Sequence, residues 1–265
     1  MKQIHGTGPG FTRRELIALA AAGLARCRPR GTELSMAEAR KPSPQTAAEG
    51  RLTARPGKPM EAGPTGVSPL GLGDRRDGFL AVPAGYRADR PAPLALMLHG
   101  AGGNAGYALQ ALQPFTDKAG VILLVPDSRD ETWDVIAGGY GPDVAFLDRA
   151  LSRAFARYAV DPAHVAVGGF SDGASCALSL GITNGDLFTH VLAFSPGFVS
   201  PAGREGRPRL YVSHGTRDEI LPIETCSRAI VPRLRRQGYE VRYREFDGPH
   251  TVPPEIVREA LDWFL

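Results

Sequence analysis

The sequence predicts an α/β fold with an open, mainly parallel sheet and helices on both faces. From Phe79 onward, short apolar runs bounded by Gly and Pro alternate with longer segments of helical periodicity. The short runs are apolar at consecutive positions, which is typical of strands buried on both faces of a parallel sheet. The predicted strands are Leu94–Leu98, Val121–Val125, His164–Val167, Val191–Phe194, Leu210–Ser213 and the more polar Val241–Phe246.

The segments between these strands repeat apolar residues at helical spacing. They predict helices over Ala105–Ala119, Val144–Tyr158, Ala174–Thr183 and Thr225–Gln237, and a closing amphipathic helix over Glu255–Leu265. In open sheets of this kind, ligands bind beyond the carboxyl ends of the strands. The residues that follow each strand are therefore the candidates for function.

Charge divides the 265-residue chain into two unlike parts. Residues 1–58 hold 11 Lys and Arg against 4 Asp and Glu, so of the net charge of +3 this arm carries +7 and the remainder −4. A mildly acidic remainder gives no support for a nucleic-acid partner. The longest apolar run, Leu16–Ala25, is too short for a stable membrane span.

The N-terminal arm has the composition of a targeting signal followed by a linker. Arg13 and Arg14 precede the apolar run, and residues 1–27 thereby resemble a twin-arginine export signal. We expect a periplasmic or secreted protein, with lipid anchoring at Cys27 and a cytoplasmic location as alternatives. Residues 28–75 are rich in Pro and Gly and poor in core-forming residues, so we expect a linker there and a catalytic domain over 76–265.

A nucleophile is predicted at the end of the strand His164–Val167. Gly169, Ser171 and Gly173 form a Gly-x-Ser-x-Gly motif between this strand and a predicted helix. Such a turn strains the serine backbone and needs glycines where strand and helix approach closely. In this context the motif predicts Ser171 as a catalytic nucleophile.

A serine nucleophile requires a base and an acid that orients the base. In proteins with this strand–turn–helix motif, the acid follows the serine in the chain and the histidine follows the acid. Of the histidines after Ser171, His190 and His214 fit structural roles better, and His250, in a Gly-Pro loop after the last strand, is the predicted general base. Asp218 follows a strand and a Gly turn and is the predicted acid. Glu219 and Asp247 are its competitors.

The oxyanion of the reaction needs backbone donors that are already in position. His99-Gly100-Ala101-Gly102-Gly103-Asn104 follows a strand and opens a helix. We predict that the N–H groups of Ala101 and Asp172 form the oxyanion hole and that His99 orients the loop. A phosphate-binding loop is the competing interpretation, but the lysine it requires is absent.

Four motifs in this order resemble the α/β-hydrolase superfamily. They are His99-Gly100-Ala101-Gly102-Gly103, Gly169-Phe170-Ser171-Asp172-Gly173, His214-Gly215-Thr216-Arg217-Asp218 and Pro249-His250. The chain is most similar to the branch of compact carboxylesterases, phospholipase-like esterases and polyhydroxybutyrate-depolymerase-like esterases, and the likeness runs from Phe79 to Leu265. This resemblance implies that Trp133 lines the acyl or alcohol pocket.

Together these residues predict a serine esterase that uses no metal and no organic cofactor. Only 15 residues, Ser195–Arg209, occupy the position where a cap domain would be inserted, so we expect an open site without a cap and a preference for short acyl groups of a small-molecule ester. The alternatives are a polyester depolymerase of the polyhydroxybutyrate type, a feruloyl-type esterase and a catalytically silent hydrolase-fold binding protein. The oligomeric state stays open.

Overall fold

The fold is an eight-stranded sheet with helices on both faces. The computed structural model describes residues 44–73 and 75–265. The strands are β1 Gly66–Pro69, β2 Gly78–Val82, β3 Ala92–Leu98, β4 Ile122–Pro126, β5 Val160–Phe170, β6 His190–Phe194, β7 Arg209–Gly215 and β8 Val241–Phe246. The helices are α1 Pro44–Ala48, α2 Ala105–Ala119, α3 Pro142–Arg157, α4 Asp172–Thr183, α5 Ser227–Arg236 and α6 Pro254–Phe264, with a 3₁₀ turn at Asp134–Ala137.

The strand order is β1-β2-β4-β3-β5-β6-β7-β8. The pairs from β4 to β8 are parallel, whereas β1 and β2 join antiparallel at one edge. The predicted α/β class, the mainly parallel sheet and the six predicted strands are confirmed. The antiparallel strands β1 and β2 were not among the predicted elements.

Alternate side chains of the central strands pack on opposite faces. In β3, Leu94, Leu96 and Leu98 join the core formed with α3, α4 and α5. Ala95 and Met97 face the core formed with α2 and α6. Both faces are thus covered, and the nucleophile helix α4 lies on the face opposite α2 and α6.

The expected linker over residues 28–75 is wrong for its described part. Leu52 and Leu70 are each 2% exposed, and both join the core on the α3 side of the sheet. The folded unit therefore begins well before residue 76. The segment lacks aromatic and β-branched core residues, but a few apolar side chains suffice because the domain already offers a surface to cover.

Buried polar groups of the domain also bind this segment. Asp148, fully buried on α3, accepts hydrogen bonds from Thr53 N and Oγ1, both at 2.6 Å, and from Ala54 N at 2.8 Å. Asn184, also fully buried, accepts from Leu52 N at 2.9 Å. A buried carboxylate without such donors is costly, so residues 52–54 complete the fold.

Two further expectations concern what surrounds the domain. The 195–208 stretch between β6 and β7 contains no helix, which agrees with the expected absence of a cap there. No helix in the described part of the chain is long and apolar enough to cross a membrane. The signal-like segment 1–27, including Cys27, lies outside the described residues.

Candidate active site

Ser171 lies at the junction of β5 and α4 with a strained backbone. Its φ is +57° and its ψ −120°, a region that residues other than glycine seldom adopt. Its N–H donates to Phe194 O at 2.9 Å, which ties the turn to the neighbouring strand β6. The predicted sharp turn is present, and it holds the serine at the carboxyl edge of the sheet.

The two glycines of the motif are required by close backbone approach. A Cβ at Gly173 would lie 2.3 Å from Leu98 O and 2.5 Å from His99 O. A Cβ at Gly169 would lie 2.5 Å from the carbonyl group of Gly173. The turn therefore packs directly on the end of β3, where the predicted oxyanion loop begins.

The predicted base and acid are in contact. His250 Nδ1 lies 2.6 Å from Asp218 Oδ2. Asp218 is 6% exposed, and its Oδ1 accepts from Ile220 N at 3.0 Å and Leu221 N at 2.8 Å. Although burial opposes it, the Leu221 N–H and His250 hold the pKa of Asp218 below its usual value. The aspartate is thus an ionised acceptor that fixes the imidazole.

Among the described residues, no hydrogen bond joins Ser171 and His250. The ring of Phe170, the residue before the serine, lies 4.5 Å from the His250 imidazole. In unliganded hydrolases this contact is often long and shortens when substrate binds. The competitor Asp247 instead pairs with Arg217 on the surface, where its carboxylate is 78% exposed.

His99 is hydrogen-bonded through both ring nitrogens beside the predicted oxyanion loop. It is 4% exposed, its Nε2 accepts from Ser128 N at 3.0 Å, and its Nδ1 lies 2.8 Å from Gly100 O. Burial lowers the pKa of His99, so the ring is neutral and carries its proton on Nδ1. Because Nε2 already accepts from Ser128 N and Nδ1 is bound to Gly100 O, neither nitrogen is available to act as the general base, and the ring holds the backbone of Gly100 beside Ser171.

The backbone N–H groups of Ala101 and Asp172, the predicted oxyanion donors, are unengaged among the described residues. Neither N–H has an acceptor among the described residues, whereas Gly102 N donates to Glu131 O at 2.9 Å and Gly103 N to Gly100 O at 3.0 Å. The Asp172 carboxylate is held by Thr132 Oγ1 at 2.7 Å. This is the arrangement expected of donors that await a developing oxyanion.

Comparison with known proteins agrees with this geometry. No family model matches the chain. It is 29% identical over 157 residues to the probable feruloyl esterase C of Aspergillus niger, which covers 56% of this chain and 57% of that protein. It is 30% identical over 171 residues to the putative esterase NocK of Nocardia uniformis, covering 62% of this chain and 44% of that protein. The chain thus spans about half the length of these curated relatives.

Solved structures share the fold over most of its length. Esterase PE8 matches with a TM-score of 0.56 and 25% identity, over 69% of this chain and 97% of that one. A ferulic acid esterase of Anaeromyces mucronatus matches with a TM-score of 0.56 and 16% identity, over 81% of this chain and 95% of that one. The chain thus shares the fold of α/β-hydrolase esterases and is similar in sequence to curated esterases.

Trp133 is buried in the described structure, contrary to its predicted role as a pocket residue. The side chain is 1% exposed, donates from Nε1 to His99 O at 2.8 Å and packs its ring 4.9 Å from that of His99. An indole buried this deeply leaves no surface for a ligand. Trp133 instead supports the oxyanion loop from behind.

His214 contacts the predicted acid Asp218, a contact that the sequence analysis did not predict. It is fully buried, and its Nε2 lies 3.1 Å from Asp218 Oδ2 and 2.8 Å from Leu221 O. Its Nδ1 lies 2.7 Å from Ser227 Oγ. Burial lowers the pKa of His214, so the ring is neutral. Its position four residues before Asp218 was the available signal, but only the turn at Leu221 brings the ring onto the carboxylate.

A cleft of about 560 Å³ opens beside the base. It lies between α2 and α6 and is bordered by Gly100, Ala101 and His250. No cluster of His, Cys, Asp and Glu suited to a metal ion occurs among residues 44–73 and 75–265. The described site is built from a serine, a histidine, an aspartate and backbone amides, beside an apolar cleft.

Proposed function

We propose that this chain is a serine esterase that hydrolyses carboxylic esters through an acyl-enzyme. The observation that carries the proposal is the strained turn at Ser171 packed against the loop at Gly100, together with the His250–Asp218 pair, whose imidazole packs on Phe170 next to the serine. Each of these features serves acyl transfer, and a merely structural turn requires none of them.

In the proposed reaction, His250 removes the proton of Ser171 Oγ as the oxygen attacks the ester carbonyl carbon. The carbonyl oxygen becomes an oxyanion that accepts hydrogen bonds from Ala101 N and Asp172 N. Protonated His250 then donates to the leaving alcohol oxygen as the ester C–O bond breaks. Water repeats the sequence on the acyl-enzyme and releases the carboxylic acid.

The relatives suggest a substrate class. Those named feruloyl esterase C support hydroxycinnamoyl esters as the first to test, with short aliphatic esters beside them. Polyesters of the polyhydroxybutyrate type are the remaining candidate. A panel of methyl ferulate, ethyl acetate and a 3-hydroxybutyrate oligomer distinguishes the three classes.

Substitution of each proposed group tests the mechanism. Ser171→Ala, His250→Ala and Asp218→Asn should each lower kcat by about a thousandfold or more, with losses far from additive in combination. Asp247→Asn is the matched control, since this aspartate, three residues before His250, lies on the surface, where its carboxylate pairs with Arg217, and it should retain nearly full activity. Full activity of folded Ser171→Ala would overturn the proposal.

Labelling by a fluorophosphonate separates an esterase from a silent binding protein. A fluorophosphonate reacts with an activated serine, so the chain should label at Ser171 and the Ser171→Ala variant should not. A folded chain that neither labels nor hydrolyses any ester in the panel would support the silent alternative.

We further propose export of the chain by a twin-arginine signal at residues 1–27, on the strength of Arg13-Arg14 ahead of the apolar run. Expression in a bacterium with a working twin-arginine pathway should give a periplasmic product. Arg13→Lys combined with Arg14→Lys should retain it in the cytoplasm. Equal distribution of the two proteins would contradict the proposal.

A further inference from the structure

Helix α2 leaves much of its apolar stripe uncovered along the cleft. Of its 15 residues only Ala105 and Thr116 are buried, whereas α3 buries nine of 16. Ala108, Leu112 and Phe115 pack partly against the core and remain accessible on the side of the cleft. A helix on a sheet normally buries this stripe, so the cleft holds apolar surface that is available to a ligand.

The rest of the cleft is equally apolar. Met97 and Phe194 contribute from the sheet, and Val252 and Val257 from the α6 side. Among the described residues that line it, none is Asp, Glu, Lys or Arg. A charged group would lose its hydration there without gaining an ionic partner, and Tyr107 and Thr251 are the main polar side chains that line the cleft besides the two histidines, so a largely apolar ligand is favoured.

The mouth of the cleft coincides with the proposed chemistry. Ala101, whose N–H is a proposed oxyanion donor, and the base His250 both border it. An ester whose carbonyl is held between the Ala101 and Asp172 amides would therefore have one arm beside the opening. The volume of about 560 Å³ lies in the range of small-molecule sites.

We propose that the cleft between α2 and α6 binds an extended apolar group, an alkyl chain or an arene, attached to the scissile ester. This inference rests on the proposed esterase function. The expected preference for short acyl groups was argued from the missing cap, and this cleft offers apolar surface from within the fold instead. The group belongs either to the acyl or to the alcohol half of the ester.

Two series of esters distinguish the halves. One series holds the alcohol as methanol and lengthens the acid from acetate to decanoate, and the other holds the acid as acetate and lengthens the alcohol from methyl to octyl. Because each methylene removed from water stabilises the bound state, kcat/KM should rise about two- to fourfold per methylene in one series. The series that rises identifies the half that occupies the cleft.

Filling and enlarging the cleft provide the structural test. Ala108→Trp should reduce the ratio of kcat/KM for the longest ester to that for the shortest about tenfold. Leu112→Ala should shift the optimum to longer chains. Gln110→Trp, on the exposed side of the same helix, is the matched control and should leave the ratio unchanged.

The outcomes separate this inference from the function on which it rests. If hydrolysis of the shortest ester depends on Ser171 but neither series rises with length, the cleft proposal is overturned and the esterase proposal stands. An undiminished rise with length in folded Ala108→Trp, or an unchanged optimum in folded Leu112→Ala, also overturns it. If no ester is hydrolysed and fluorophosphonate does not label Ser171, both proposals fail.

Discussion

His214 offers a direct test of how the Asp218 carboxylate is held. The carboxylate accepts from Ile220 N, Leu221 N, His250 and His214. Replacing His214 by Gln removes the imidazole N–H, which is shared between Asp218 Oδ2 at 3.1 Å and Leu221 O at 2.8 Å. A hydrogen bond to a charged group contributes about 1.5–3 kcal/mol, and a shared one correspondingly less, about 1 kcal/mol.

The sign of the expected change follows from the remaining partners. With one donor fewer, the Asp218 carboxylate binds the protonated His250 ring more strongly, so the base stays protonated to higher pH. A free energy of about 1 kcal/mol corresponds to about 0.7 pH unit. The acid limb of the kcat/KM profile should therefore move to higher pH by about half a unit, with kcat reduced about three- to tenfold.

The assay is the pH profile of ester hydrolysis, with folding checked by circular dichroism. His190→Asn is the matched control, because His190 is also a buried histidine but lies at the start of β6, far along the strand from the site. It should lower stability without moving the acid limb. An unshifted limb in folded His214→Gln, or an equal shift in both variants, would refute the role of His214.

Three further predictions concern the fold that carries the site. Leu52→Ala should lower the free energy of unfolding by about 2–4 kcal/mol and the Tm by several degrees. Met60 is 83% exposed in the same segment, so Met60→Ala should have little effect on the Tm. Equal Tm values for the two variants would restore the linker interpretation. Gly173→Ala should abolish activity and destabilise the chain by about 3 kcal/mol or more in urea, whereas Gly203→Ala, with open space around its Cβ, should not. Burial lowers the pKa of His190 to about 4. The free energy of unfolding should therefore fall by about 2 kcal/mol as the pH drops from about 6.5 towards 4, because only the unfolded chain is protonated at this position. Tm measurements on His190→Phe should show a smaller decrease over the same pH range.

The strands and the order of the proposed catalytic residues could be predicted because both depend on short, contiguous sequence patterns. Each parallel strand is an apolar run, and each candidate residue follows the end of one. Ser171, Asp218 and His250 thus arrive at one edge of the sheet by topology alone. Asp218 and His250 come into contact because their strands β7 and β8 are neighbours and the loop at Pro249 follows β8 at the same edge.

The remaining features depend on contacts that are distant in sequence. Leu52 is buried because Asp148 and Asn184, about 95 and 132 residues later, hold the backbone beside it. From the sequence, Trp133 has the position of a pocket aromatic, whereas in the structure its indole N–H donates to the carbonyl oxygen of His99. No local periodicity encodes either contact, which is why a linker and a pocket residue were predicted at these positions.

The same long-range contacts explain why the Ala101 amide stays available. Around it, Gly102 N is bound to Glu131 O and Ala105 N to Asp127 Oδ1 at 2.6 Å. Arg76, from just before β2, donates to Ser128 O at 2.7 Å and to Gly103 O at 3.1 Å, which fixes the loop from outside. Because the neighbouring polar groups are already satisfied, the loop cannot turn its free N–H inward without breaking several of these bonds. If Ala101 N is the oxyanion donor that we propose, it is held in place before any ester binds, and little of the binding free energy of an oxyanion would be lost to reorganisation.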